Sequence, residues 1–321
     1  MKLPKGRASR WWLLLAVLVF GVPQSSWVIT KAMGLIPYGS VVNGPYEFII
    51  TYVLFGASTA VTLGSSIAIL AFIMLLGGDR WRRVVAAIGF ILCSVFVNLG
   101  VLYFIEPIWF RFVMMNDTDL LSLLGYLLLP ISMSMTSLAA AAVMQFFRGW
   151  SMLCKDAPRQ TRPIDLTTLL EWVFISAVLF ASLRVTFVLR YQSNYDVMFY
   201  ELVMVLLPST GIAVATMCLF RWLLGTSVDA PIRETSLKRR VGTRMVIVII
   251  LVHGVVYATA VRSLQWHDPS IAIGLHLQSA IASLTTCLVG TVNVAAIVYC
   301  FRKLGYRLAA YWDAASDPLS V

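Results

Sequence analysis

The chain has 321 residues, of which 60% are hydrophobic and 12% are charged. Soluble domains carry about 25% charged residues, so a water-soluble globular domain is not the expected class. The net charge of +10 would suit nucleic acid only on a basic soluble domain; the connections here are too short to form one, and no nucleic-acid partner is expected.

Eight apolar segments follow one another along the chain: 11–31, 48–76, 84–105, 119–147, 168–189, 200–224, 244–262 and 269–301. A helix of about 20 apolar residues crosses the ~30 Å hydrocarbon core of a bilayer. The expected fold is therefore all-α, a polytopic transmembrane bundle of about eight helices forming a single integral membrane domain over residues 1–321. Residues 302–321 are expected as a short cytoplasmic tail.

In chain order, the first segment follows Lys2, Lys5, Arg7 and Arg10. This resembles the start of a signal peptide, but the apolar stretch runs on past Pro23, and Pro23, Gln24 and Ser25 make a poor cleavage site. A retained anchor is the expectation. The second segment spaces Gly56, Ala60, Gly64 and Ala68 four residues apart, a small-residue stripe that lets helices approach closely. The third holds Asn98. The fourth and sixth contain Pro130 and Pro208, which favour kinks. The fifth opens on Thr168 and Glu171 at capping-box spacing, so Glu171 reads as a helix cap. The seventh carries His253 and, one turn on, Tyr257. The eighth opens after Asp268 and Pro269, a cap followed by the first helical position.

Orientation comes from the lysines and arginines. With the N-terminus inside, the inner connections hold Lys2, Lys5, Arg7, Arg10, Arg80, Arg82, Arg83, Arg148, Lys155, Arg159, Arg162, Arg221, Arg233, Lys238, Arg239, Arg240, Arg244, Arg302, Lys303 and Arg307. That is 20 of the 25 basic residues; Lys31, Arg111, Arg184, Arg190 and Arg262 fall at or near the outer side. The positive-inside rule then places both termini in the cytoplasm and the protein in the plasma (inner) membrane. Lys238, Arg239 and Arg240 are expected first to fix this topology and also to meet anionic lipid headgroups. The five cysteines include no C-x-x-C pair, and no metal site or cofactor is expected.

All three histidines, His253, His267 and His276, fall within residues 251–279. An intramembrane histidine is a candidate functional residue, which singles out His253. On the eighth segment His276, Ser279, Ser283, Thr286, Gly290 and Asn293 recur at helical spacing and share one face. Polar groups in hydrocarbon need partners, so this face is expected to turn toward protein or water. Two readings follow: helix packing through small and hydroxyl side chains, or a polar path lined by His253, Tyr257, His276, Ser283, Thr286, Asn293 and Asn98.

For the whole chain the leading expectation is a small-solute transporter or channel-like protein. The alternative is a non-catalytic membrane subunit or scaffold, meeting a membrane partner or a second copy of itself. A haem or quinone redox protein using His253 and His276 stands further off. Zinc-protease, P-loop and nucleophile-elbow motifs are absent from the sequence, so catalysis is not expected. Weak identities at an offset of 154 residues, such as Tyr46 and Glu47 against Tyr200 and Glu201, raise the expectation of a parallel four-plus-four repeat.

Overall fold

A computed structural model describes residues 5–23, 45–76, 80–105, 150–154, 209–225 and 273–309, with 141, 173 and 177 as isolated positions. These residues are mostly helical. α1 (Lys5–Ala16) runs without a break into a π turn, Val17–Gly21. α2 is Pro45–Leu75 and α3 is Arg80–Ile105. α4, Ser209–Leu224, closes on a second π turn, Phe220–Leu224. α5 is Ile273–Lys303. Two short strands, β1 (Ser151–Cys154) and β2 (Tyr306–Ala309), pair antiparallel, with Met152 opposite Leu308. The expected fourth, fifth and seventh segments lie essentially outside the described residues.

Within α2 and α5, Gly56–Leu75 and Leu284–Lys303 are each 20 residues long and apolar enough to cross a membrane. At 1.5 Å per residue such a stretch covers ~30 Å. α2 begins on Pro45, a residue suited to the first helical position because its missing amide would have no partner there. α3 begins at Arg80, ahead of the uncharged run, since arginine is a good helix former and its charge does not end a helix.

The close of α5 is local chemistry. Leu304 N donates to Cys300 O at 2.9 Å and Gly305 N donates to Arg302 O at 3.1 Å. Gly305 has φ 92°, a backbone that glycine adopts without steric penalty and that commonly follows a helix. The chain reverses there into β2, so the expected tail contains the end of α5, a turn and a paired strand.

Contacts between the helices give their relative directions. A Cβ placed on Gly56 would lie 2.5 Å from Ala282 O, and one on Gly64 would lie 2.9 Å from Gly290 O. Further along, Phe72 stacks on Phe301 with ring centroids 3.8 Å apart. α2 and α5 therefore run parallel. α4 runs the same way: Gly211 sits beside Cys287, and its final π turn meets β2. α1 is antiparallel to these, since Ser65 bonds to Leu18 while Trp11 meets Tyr299. α3 returns antiparallel to α2, with Arg83 against Met74 and Phe90 against Phe20.

Three places in the sequence thus converge at one pole. The end of α2, strand β1 and the end of α5 meet there: Leu76 bridges Met152, Met152 pairs with Leu308, and Tyr306 lies edge-on to Phe72 at 4.8 Å. Arg83 is buried at this pole and its Nη1 donates to Met74 O at 3.3 Å. A cation at the last turn of a helix is favoured by the helix dipole, so Arg83 ties the first turn of α3 to the last turn of α2. The main apolar core runs from this pole up the α2–α5 seam through Leu63, Ile67, Ala71, Ile212, Val294 and Ile297.

Candidate functional site

The small-residue stripe of α2 lies against α5. Gly56 and Gly64 face the α5 backbone at Ala282 and Gly290, and Ala60 and Ala68 are fully buried. Gly290 is confined from a second side: a Cβ there would lie 2.5 Å from Cδ1 of Ile212 on α4. Glycine at these points is required by close approach. In lipid there is no hydrophobic force between apolar helices, and association depends on such packing and on interhelical hydrogen bonds.

Two such bonds cross the seam from α5. Thr286 Oγ1 lies 3.0 Å from Gly56 O and 2.7 Å from Ala282 O, so its hydroxyl is held between two backbone carbonyls. Asn293 Nδ2 donates to Val61 O at 3.0 Å and to Ser65 Oγ at 2.9 Å. Ser65 Oγ in turn donates to Leu18 O at 3.2 Å. The relay therefore runs from α5 through α2 to the π turn that follows α1, linking three helices by side chains. Asn293 is 8% exposed and Thr286 4%, so both amide and hydroxyl are withdrawn from solvent and lipid and have partners, as buried polar groups must.

The opposite flank of α5 is apolar. Leu284, Leu288, Val292 and Tyr299 are exposed, Val292 at 70%. α3 carries a similar ridge of Val85, Ile88, Leu92 and Phe96.

Of the sequence-nominated residues, the structure brings Thr286 and Asn293 together in the α2–α5 seam. His276 and Ser283 belong to α5 and Asn98 to α3 by backbone position. His253 and Tyr257 lie outside the described residues, as do Lys238, Arg239 and Arg240. Ser65 is a hydrogen-bond partner of Asn293 that the sequence did not single out; its only sequence signal is a place one residue beyond Gly64. Arg83, read from sequence as a topology charge, is also the buried clamp on α2.

No family model, no curated protein and no solved structure matches this chain. The functional reading therefore stands on residues and geometry.

Proposed function

We propose that this chain is a multi-pass integral membrane protein of the non-catalytic subunit or scaffold kind, with the α2–α5 seam as its structural spine. The carrying observation is the placement of Thr286 and Asn293. A solute path along this strip needs their polar atoms turned to water, whereas both hydrogen-bond to α2 across a seam closed by Gly56 and Gly64. The exposed ridges of α3 and α5 supply the faces that lipid or a partner helix covers.

The directions of the described helices are consistent with an eight-span arrangement in the plasma (inner) membrane with both termini cytoplasmic. α1 and α3 start at the pole where α2, α4 and α5 end, and β1 lies at that same pole. Lys238, Arg239 and Arg240 belong to that side in this arrangement and would meet anionic headgroups there.

Reconstitution separates this reading from a transporter. Vesicles holding the purified chain are expected to be no more permeable to small cations and neutral solutes than protein-free vesicles. From native membranes the chain is expected to co-isolate with a second polypeptide at fixed stoichiometry. Saturable solute uptake abolished by Asn293→Leu would establish the carrier reading in its place.

A further inference from the structure

All described lysines and arginines lie at one pole: Lys5, Arg7 and Arg10 on α1, Arg80, Arg82 and Arg83 on α3, Arg221 on α4, and Arg302, Lys303 and Arg307 at and beyond the end of α5. The only acidic residue among the described residues is Glu47, in the first turn of α2 at the opposite pole. Within this collar Arg10, Arg82, Arg221, Arg302, Lys303 and Arg307 are exposed.

One part of the collar combines charge with interfacial aromatics. Where α1 passes the end of α5, the rings of Trp11 and Tyr299 meet edge-on at 5.9 Å, and Lys303 Nζ lies 5.2 Å from the centre of the Tyr299 ring. Arg10, next to Trp11, is exposed, as are Tyr299 and Lys303. Tryptophan and tyrosine settle at headgroup depth because each joins an apolar ring to a polar tip, and the Trp11–Tyr299 pair marks that level on the protein. The exposed apolar face of α5, Leu288, Val292 and Tyr299, leads straight down from it. Acyl chains have a surface to follow, and Lys303, with Arg10 one residue before Trp11, brings positive charge to its head.

We propose that the crossing of α1 and α5 is a binding site for an anionic phospholipid, with Arg10 and Lys303 taking the headgroup phosphate and the Trp11–Tyr299 pair setting its depth. This rests on the membrane reading above and names a ligand for the basic pole. Each basic side chain near an anionic surface is worth about a fivefold change in affinity.

The test is native mass spectrometry of the full-length protein in detergent, titrated with phosphatidylglycerol or with phosphatidylcholine of the same chains. Wild type is expected to retain phosphatidylglycerol preferentially. Arg10→Gln with Lys303→Gln is expected to weaken that binding about 30-fold with an unchanged melting temperature, while Arg82→Gln, elsewhere on the collar, leaves it intact. Equal retention of the two lipids, or an equal loss in Arg82→Gln, would overturn the site. Alkaline carbonate washing of membranes reads the underlying assignment separately. Protein that stays in the pellet but shows no lipid preference sinks the site alone; protein released by the wash sinks the membrane reading as well.

Discussion

Gly56 and Gly89 are both helical glycines, yet a methyl group added to each meets opposite surroundings. At Gly56 it would press within 2.5 Å of a backbone oxygen of α5; at Gly89 nothing lies within 4 Å. Overpacking a closed contact costs about 1–3 kcal/mol, whereas replacing an open helical glycine by alanine gains up to about 1 kcal/mol. Thermal unfolding in detergent should therefore show Gly56→Ala melting below wild type and Gly89→Ala at or above it. A matching fall in both would mean that α2 does not approach α5 this closely. Asn293 and Ser65 form the second residue-scale case. Interhelical hydrogen bonds in membranes average ~0.6 kcal/mol, so Asn293→Leu, which loses two, should cost about 1 kcal/mol. Combined with Ser65→Ala it should show coupling, because the two side chains share one bond; strictly additive losses would contradict the relay. The glycine stripe was legible in sequence because its four-residue period admits few readings. Ser65 was not, because a serine in an apolar helix bonds equally well to its own backbone, as Thr216 does to Ile212 O at 2.7 Å, and only a neighbouring helix decides between the two.

α1 is an element that the sequence likens to a signal peptide but that is expected to be a retained anchor. Its residues are built into the bundle: Leu15 and Val19 are buried, Leu18 O accepts from Ser65, and Phe20 meets Phe90 at 6.0 Å. Removing it would strip a partner from α2, α3 and α5 together. Intact-mass measurement of the protein from membranes should therefore find α1 still attached, and a product beginning after residue 25 would contradict its structural role. β2 is the element that sequence reading missed. Four residues after a glycine carry no periodicity that could name a strand, and their partner, β1, lies about 150 residues earlier in the chain. The pairing joins Tyr306 to Phe72 and Phe301, and aromatic contacts of this kind are worth about 0.5–1.5 kcal/mol each. Truncation after Lys303 should lower stability by about 1–3 kcal/mol on that count, read as a lower melting temperature. An unchanged melt would show that β2 is an ornament on the bundle.

At the scale of the molecule, the described basic residues and the directions of the five described helices were obtained separately. Basic residues are counted along the chain; poles are read from Phe72 on Phe301, Trp11 against Tyr299 and Met152 opposite Leu308. What was legible at this scale is the mostly helical character and the two long apolar helices, Gly56–Leu75 and Leu284–Lys303, because hydropathy acts on long stretches of chain. A parallel repeat at an offset of 154 residues was a fainter signal in the sequence. At its offset of 154, the π turn Phe220–Leu224 would correspond to residues 66–70, which are regular helix in α2, so no echo appears at that place. The candidate path was legible only as a face. Sequence periodicity put Thr286 and Asn293 on one side of a helix, but whether that side met water or another helix depended on Gly56 and Gly64 more than 200 residues away.

A thiol scan of α5 in native membranes, on a background with the natural cysteines replaced, addresses the seam directly. It would use one water-soluble and one lipid-partitioning maleimide. Cysteines at 284, 288 and 292 should react with the lipid-partitioning reagent alone, and cysteines at 286 and 293 with neither. Reaction of 286 or 293 with the water-soluble reagent would reveal a hydrated passage, and reaction with the lipid-partitioning one would turn the strip outward; either contradicts the closed seam.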